Sequence, residues 1–190
     1  MTINFVLRIL TLTLLIIWRI YWFLHTKEAA INKPKTDSKS RIIEPIMMNL
    51  GSIYIFVSLI GFPVFYFVNL LSQIIGFVLV ILGFTQAIIA RKTLNDNWTE
   101  SFEYQIKKNH ELITNGIYGY IRHPIYGVLL LVVPGALLVS GSYTFILGLI
   151  IILFAAEILS RREEKLLTEH FGKKYTEYKK TTKKFIPFIY

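Results

Sequence analysis

A short segment brings charged and aromatic side chains to the start of a long apolar run. The sequence GIYGYIRHPIYGVLLLVVPG places Arg122 and His123 directly before a stretch of aliphatic residues, with Tyr118, Tyr120 and Tyr126 on either side. Ionisable groups at the edge of a membrane segment are costly unless they are paired or functional. This boundary therefore suits chemistry between a charged, water-soluble reactant and a lipid-soluble one.

A second polar group ends the last apolar run, where the sequence reads EILSRREEK. Glu157 precedes Arg161 by four residues, a spacing that favours an ion pair along a helix. Arg162, Glu163 and Glu164 follow. If the two apolar runs form a helical hairpin, this group lies close to Arg122, His123 and Tyr126.

The composition indicates an integral membrane protein. Of the 190 residues, 54% are hydrophobic, the formal charge is +9, and there is no cysteine. The absence of cysteine excludes disulfides, thiolate metal sites and cysteine nucleophiles, and no metal site is predicted. The basic residues stand between apolar runs, so membrane topology explains the charge better than nucleic-acid binding does.

The apolar runs predict an all-α, polytopic protein with five transmembrane helices and a C-terminal amphipathic cytoplasmic helix, because a spanning helix needs about 20 apolar residues. The predicted spans are Ile3–Leu24, Met47–Leu70, Ile74–Ala90, Ile125–Val139 and Tyr143–Ser160. Five Lys/Arg lie in 27–44, five in 91–122 and nine from residue 161 onward, whereas 69–73 and 140–142 have none. Basic segments stay in the cytoplasm, so the N-terminus is expected outside and the C-terminus inside.

Two units are expected along the chain. Residues 1–92 would hold three transmembrane helices with a basic cytoplasmic loop at 25–46. Residues 93–190 would form the core that carries the chemistry: a cytoplasmic segment in which HELI forms a short helix, a helical hairpin at 123–160, and a cytoplasmic tail. Leu166, Leu167, Phe171, Tyr175 and Tyr178 give that tail a helical apolar spacing, interrupted by Gly172.

The order of these motifs resembles the isoprenylcysteine carboxyl methyltransferase family, and more broadly the membrane methyltransferases that include phospholipid N-methyltransferases. The resemblance rests on HELITNGIYGYIRHPIYG, then a hairpin, then RREEKLLTEHFGKKYTEYKKTTKKFIP. The matching positions are His110, Leu112, Ile113, Gly116, Tyr118, Arg122, His123, Pro124, Tyr126, Glu163, Glu164, Leu167, Phe171, Gly172, Tyr175 and Tyr178. The first three spans match only in hydropathy.

The resemblance implies S-adenosyl-L-methionine as methyl donor, bound without a Rossmann domain. The sequence agrees, since it has no Gly-x-Gly-x-x-Gly loop after a strand. The cofactor-binding positions carried over are His110, Glu111, Leu112, Ile113, Tyr118, His123, Pro124, Ile125, Tyr126 and Glu163. Arg122 and His123 are the expected catalytic residues, and Arg161, Arg162 and Glu164 are assigned to the substrate.

One departure leaves the acceptor open. The isoprenylcysteine enzymes have an arginine about four residues before the glutamate pair, and this chain has Leu159 there. Arg162 is a candidate replacement. Carboxyl O-methylation of a lipophilic acceptor is therefore weighed against N-methylation of a phospholipid ethanolamine.

Two more distant alternatives remain. Sterol-type reductases that use NADPH share an Arg-His-Pro-x-Tyr-like segment and a similar end to the chain, here IPFIY, but usually have asparagine where this chain has Ile125. The other alternative is a non-enzymatic membrane scaffold. The expected partners are a lipophilic acceptor that enters from the bilayer and membrane lipids, with no nucleic acid; the oligomeric state stays open.

Overall fold

A computed structural model describes residues 3–29, 40–61, 65–67, 69–97 and 110–189, without the side chains of residues 23–29, 40–48 and 96. Its α-helices are α1 (Ile3–Ala29), α2 (Ser40–Leu59), α3 (Leu70–Leu94), α4 (Pro124–Ser140), α5 (Phe145–Phe171) and α6 (Lys173–Thr181). Short 3-10 helices occupy Asn95–Asn97 and Gly116–Gly119. Within these ranges no β-strand forms, only two isolated bridges, so the predicted helical class is confirmed for this part of the chain.

Two of these helices are long and apolar enough to cross a membrane, Ile3–Trp22 within α1 and Leu70–Leu94. Asn49–Leu59 and Pro124–Ser140 are apolar but shorter. Helix α5 is apolar only over its first part, because the charged sequence from Arg161 belongs to the same helix. The predicted arrangement of five spans and the predicted division at residues 92 and 93 stay predictions.

The second predicted span extended to Leu70, and this boundary is wrong. Helix α2 ends at Leu59, and Gly61 has a φ of 121°, a backbone conformation that favours glycine and stops a helix. Further along, the amide of Phe67 donates to the carbonyl of Gly141 at 2.6 Å. Asn69 then caps α3 by accepting a hydrogen bond from the amide of Ser72.

Helices α3 and α4 approach closely through glycines. A Cβ atom on Gly76 would lie 2.5 Å from the carbonyl oxygen of Gly135, so only glycine allows this approach. Gln73 donates from Nε2 to the carbonyl of Val139 at 3.2 Å within the same contact. Helix α1 covers this pair, and the ring of its Trp18 lies 5.2 Å from that of Phe84 on α3.

The tail doubles back along α5. Gly172 has a φ of 55° and separates α5 from α6, where the sequence predicted an interruption. Lys179 then contacts Glu164, and further along the tail Lys184 contacts Glu157. Because later tail residues meet earlier α5 residues, the tail runs antiparallel to α5 and returns to the start of α4.

Candidate active site

The tail pairs by its backbone with the segment that leads into α4. The amide of Arg122 donates to the carbonyl of Lys183 at 2.8 Å, and that of His123 donates to Lys184 at 3.0 Å. In return, the amide of Lys183 donates to the carbonyl of Tyr120 at 3.0 Å. The pairing is parallel, so the tail extends in the same direction as α4.

Arg122 joins α5, α6 and the tail. Its Nε atom donates to Oε1 of Glu164 at 2.9 Å. Its Nη1 atom donates to the carbonyls of Thr182 and Lys179, at 2.5 and 3.3 Å. The side chain is only 11% exposed, so its guanidinium is largely engaged by the protein itself.

The imidazole of His123 lies between two carboxylates. Its Nε2 atom is 3.2 Å from Oε1 of Glu164, and its Nδ1 atom is 3.4 Å from Oε2 of Glu163. Burial disfavours the charged ring, but the hydrogen bonds to both glutamates outweigh burial and raise the pKa of His123. Because both ring nitrogens donate in this arrangement, the geometry favours the imidazolium form.

The two glutamates differ in how much of each carboxylate a ligand could reach. Glu164 is 10% exposed and contacts Arg122, His123 and Lys179. Burial opposes its ionisation, but these three partners hold its pKa well below the usual range. The side chain of Glu163 is 41% exposed. Partial loss of hydration opposes its ionisation too, yet hydrogen bonds with His123 and Tyr126 lower its pKa. Glu163 is thus an ionised carboxylate with an accessible face.

Buried tyrosines line the side of the site nearest α6. The hydroxyl of Tyr178 donates to the carbonyl of Tyr118 at 2.6 Å. Burial raises the pKa of Tyr118 well above its ordinary value, and the negative charge of Glu163 raises it further. Tyr175 is buried beside Tyr178, with ring centroids 5.8 Å apart. These phenols stay neutral and form a rigid aromatic wall.

Segment 110–113 lies between the residues that follow α3 and the end of α5. The amide of Glu111 donates to Oδ1 of Asn97 at 2.7 Å. The short helix predicted for HELI is wrong, because residues 110–113 form no regular secondary structure. The ring of His110 lies 6.0 Å from that of Phe171, about two helical turns along α5 from Glu164. Leu112 and Ile113 are half-buried.

The first turn of α4 packs against the site through Pro124 and Tyr126. Pro124 is buried and its carbonyl accepts from Nε2 of Gln86 at 2.8 Å. The ring of Tyr126 is buried 5.5 Å from that of His123, whereas Ile125 is half-buried. Gln86 lies on α3 and the sequence alone did not single it out.

Of the three predicted substrate residues, Arg161 and Arg162 lie at the edge of the site, whereas Glu164 is buried inside it. Arg161 pairs with Glu157 at 2.6 Å, as the four-residue spacing predicted, and is 75% exposed. Glu157 also binds the buried Lys184 at 2.7 Å. Arg162 is exposed. An open groove beside them is lined by Arg161, Glu164, Lys165, Thr168, Glu169 and Lys179.

Sequence reasoning missed Lys179, Lys184 and the carbonyl of Thr182. All three lie in a run of lysines and threonines that reads as a solvated basic tail. The one available signal was that Lys184 is followed by an apolar segment, since the tail ends FIPFIY.

Comparison with known proteins assigns the family. The sequence model of the phospholipid methyltransferase family matches residues 71–174, which is more than half of the chain and includes α3, α4, α5 and most of the site. The chain belongs to the phospholipid methyltransferase family, within which its similarity to isoprenylcysteine carboxyl methyltransferases bears out the resemblance of its motifs.

Two curated relatives are isoprenylcysteine methyltransferases. The chain is 30% identical over 120 residues to the protein-S-isoprenylcysteine O-methyltransferase of Saccharomyces cerevisiae, an alignment that covers 63% of this chain and 50% of the yeast protein. It is 30% identical over 127 residues to that of Dictyostelium discoideum, which covers 61% and 49%. The chain spans about half the length of these relatives.

A solved structure has the same fold. The chain superimposes on the eukaryotic intramembrane Ras methyltransferase, an isoprenylcysteine carboxyl methyltransferase, with a TM-score of 0.59. The match covers 82% of this chain and 55% of the other, at 20% sequence identity. At this identity the likeness describes the fold.

Proposed function

We propose that the protein is an S-adenosylmethionine-dependent membrane methyltransferase acting on a lipophilic acceptor. The observation that carries the proposal is the pairing of His123 with Glu163, 3.4 Å apart at the mouth of α4. It holds an ionised, partly accessible carboxylate where the polar segment meets the apolar helix. Family membership and the methyltransferase names of the relatives support the same reaction class.

The residues present fit S-adenosylmethionine by their chemistry. The cofactor carries a cationic amino group, which suits the accessible carboxylate of Glu163. Tyr118 and Tyr126 offer aromatic surface for its base and ribose. Arg122 is occupied by Glu164 and two carbonyls, and the amide of Glu111 by Asn97, so the cofactor carboxylate is assigned to His110 and the backbone amides of 112 and 113. When bound, the cofactor supplies a methyl group activated by a sulfonium.

Arg122 and His123, the expected catalytic pair, act here as positioning residues. His123 fixes the orientation of Glu163, and Arg122 fastens the tail across the start of α4. Methyl transfer needs in-line alignment in a site with little water. The buried wall of Tyr118, Tyr175 and Tyr178 excludes water on one side, and the apolar start of α4 does so on the other.

The acceptor is proposed to be a carboxylate, as in an isoprenylcysteine. A carboxylate is ionised at neutral pH and needs no general base, only a cation to hold it. Leu159 replaces the family arginine, but Lys184 and Arg161 surround the single negative charge of Glu157. These three side chains carry a net charge of +1, which suits an anionic acceptor; Arg162 adds an exposed cation at the same edge.

Phospholipid ethanolamine is the second candidate acceptor, favoured by Leu159 and by the family description. An amine must lose a proton before or during attack. In the described residues Glu157 is the acid placed nearest the apolar side of the site, and in this alternative it would accept that proton.

The proposal includes a topology. Five spans, with a cytoplasmic site and C-terminus and an outer N-terminus, follow from the distribution of basic segments. One contact supports it: Nη2 of Arg8, near the start of α1, donates to the carbonyl of Ser140 at the end of α4, at 2.6 Å. Both ends would then lie at the outer face, with the outer loops.

The test is transfer of a labelled methyl group by protein reconstituted in liposomes. Farnesylcysteine analogues with a free or an amidated carboxyl group would be offered beside phosphatidylethanolamine. Labelling of the free-acid analogue alone supports the first candidate, and labelling of phosphatidylethanolamine alone supports the second. Folded protein that labels no acceptor and binds no S-adenosylmethionine would contradict the proposed function.

A further inference from the structure

Residues 186–189 and Tyr120 form an exposed apolar tip. Ile186, Phe188 and Ile189 are 43%, 80% and 73% exposed, and the neighbouring Tyr120 is 59% exposed. The ring of Phe188 packs edge-on against Tyr120, with centroids 6.1 Å apart, and the amide of Ile189 donates to Ile186 to close a turn. An apolar patch that is held in place by the fold, yet uncovered, marks an interaction surface.

The direction of the tail sets the level of this tip. Because residues 183–184 pair in parallel with residues 121–123, the tail continues alongside the first turn of α4. The carbonyl of Phe185 lies beside Gly127, where an added Cβ would be 3.1 Å away. The tip therefore lies where the polar approach to α4 gives way to its apolar helix.

Basic residues stand next to the tip. Lys180 is 66% exposed and pairs at the surface with Glu177 at 2.7 Å, and Lys183 is also exposed. Lys173 and Lys174 are exposed too, but they begin α6 and lie about 10 Å further from the tip, at a rise of 1.5 Å per residue. Glu177 is the one acidic residue in α6.

We propose that the tip formed by Tyr120, Ile186, Phe188 and Ile189 inserts into the headgroup region of a bilayer that contains anionic lipid, with Lys180 and Lys183 contacting the headgroups. Apolar and aromatic side chains beside lysines are the combination that binds an anionic interface. A bilayer is the occupant that this charge pattern complements; a second copy of the chain would bring a second set of lysines. The inference goes beyond the proposed function and does not depend on methyl transfer.

Anchoring the tip has a consequence for the site. Residues 183–184 link the tip to Arg122 and His123 through two backbone hydrogen bonds, and a third joins Lys183 to Tyr120. A bilayer that holds the tip therefore also holds the tail across the start of α4.

The chain has no cysteine, so a single introduced cysteine can carry an environment-sensitive fluorophore. Phe188→Cys would be labelled with a nitrobenzoxadiazole probe and placed in nanodiscs at one protein per disc. The discs would contain phosphatidylcholine alone or with increasing phosphatidylglycerol, with a spin-labelled lipid as quencher. Thr176→Cys, at an exposed and uncharged position on α6, is the labelling control, because it leaves the charges around the tip unchanged.

We expect the probe at position 188 to shift to shorter wavelength and to be quenched more strongly as phosphatidylglycerol increases, while the probe at 176 stays water-exposed. Lys180→Gln with Lys183→Gln should raise the anionic-lipid fraction needed for half-maximal quenching at least roughly twofold. Lys173→Gln with Lys174→Gln removes the same charge further away and should change it less.

Three outcomes would overturn the proposal. A probe at 188 that stays water-exposed in both lipids would show that the tip does not insert. Equal quenching in neutral and anionic discs would contradict the claim that the tip prefers anionic lipid. A wavelength shift seen only with two or more proteins per disc would assign the tip to a second copy.

Discussion

Arg122 donates from Nε to Oε1 of Glu164 at 2.9 Å and thereby joins two residues 42 positions apart. The same carboxylate contacts His123 and Lys179, so one buried acid on α5 binds three cations from two other segments, the approach to α4 and α6. Glu163, the preceding residue, has an exposed face and shares His123 as a partner. Adjacent glutamates are thus expected to have different functions, one in stability and one in binding.

Glu164→Gln should destabilise the protein more than Glu163→Gln does. Removing the charge of Glu164 leaves three cations without their shared partner, and breaking a buried pair costs about 3 kcal/mol. Removing that of Glu163, which is 41% exposed, should cost less than about 1 kcal/mol. Thermal unfolding of both variants in the same detergent measures the difference. Equal losses would contradict the assignment of Glu164 to stability.

Stability should be greatest at mildly acidic pH. The pKa of His123 is raised from 6.5, so its contribution is complete below that value and is lost as the pH rises through the raised pKa. The pKa values of Glu163 and Glu164 are lowered from 4.5, so their contributions are complete above it and are lost as the pH falls through the lowered values. The unfolding temperature should therefore peak between about pH 4.5 and 6.5.

His123→Gln tests whether His123 causes the loss of stability as the pH rises. It removes the raised pKa and should flatten the fall in unfolding temperature on the alkaline side. A wild-type fall that persists unchanged in the variant would show that another group causes it.

The ion pair of Glu157 with Lys184 should contribute more to stability than its ion pair with Arg161. Lys184 is 9% exposed and Arg161 is 75% exposed. Glu157→Gln leaves a buried ammonium without a partner, which should cost about 3 kcal/mol, whereas Arg161→Gln should cost less than about 1 kcal/mol. A double-mutant cycle with Lys184→Met measures the coupling. A coupling of Glu157 to Arg161 as large as that to Lys184 would contradict this ranking.

Gly76→Ala should disturb the contact between α3 and α4. The added Cβ would lie 2.5 Å from the carbonyl of Gly135 and 2.7 Å from Cβ of Leu138, so backbone must move, at a cost of about 1–3 kcal/mol. Gly51→Ala is the control, since nothing lies within 4 Å of that position. It should be neutral or stabilising by about 0.5 kcal/mol. A Gly76→Ala variant as stable as this control would disprove the close approach.

The helices that follow from apolar runs could be predicted, and so could the meeting of Arg122 and His123 with Glu163 and Glu164. A hairpin of two apolar helices brings these groups together whatever the details of packing. The end of α2 could not be located, because hydropathy continues past Gly61 while the backbone turns there.

The tail was the less predictable part. Its helical spacing and the break at Gly172 are local properties, so the sequence contains them. The burial of Lys184 depends on a contact with Glu157 that is 27 residues away, and no local pattern distinguishes it from the exposed Lys183. The hydrogen bonds from Arg122 to the carbonyls of Lys179 and Thr182 could not be predicted either, because they also join residues that are far apart in the sequence.

The most direct test of the central claim is calorimetric titration of the detergent-purified protein with S-adenosylhomocysteine, the demethylated product of the proposed donor. The account predicts binding by the wild type that weakens at least roughly tenfold in Glu163→Gln, since a hydrogen bond to a charged group contributes about 1.5–3 kcal/mol. His123→Ala should weaken it as well, and Arg161→Gln, with its exposed side chain, should leave it unchanged. Absence of binding by the folded wild type, or equal binding by Glu163→Gln, would contradict the assignment of this site to the methyl donor.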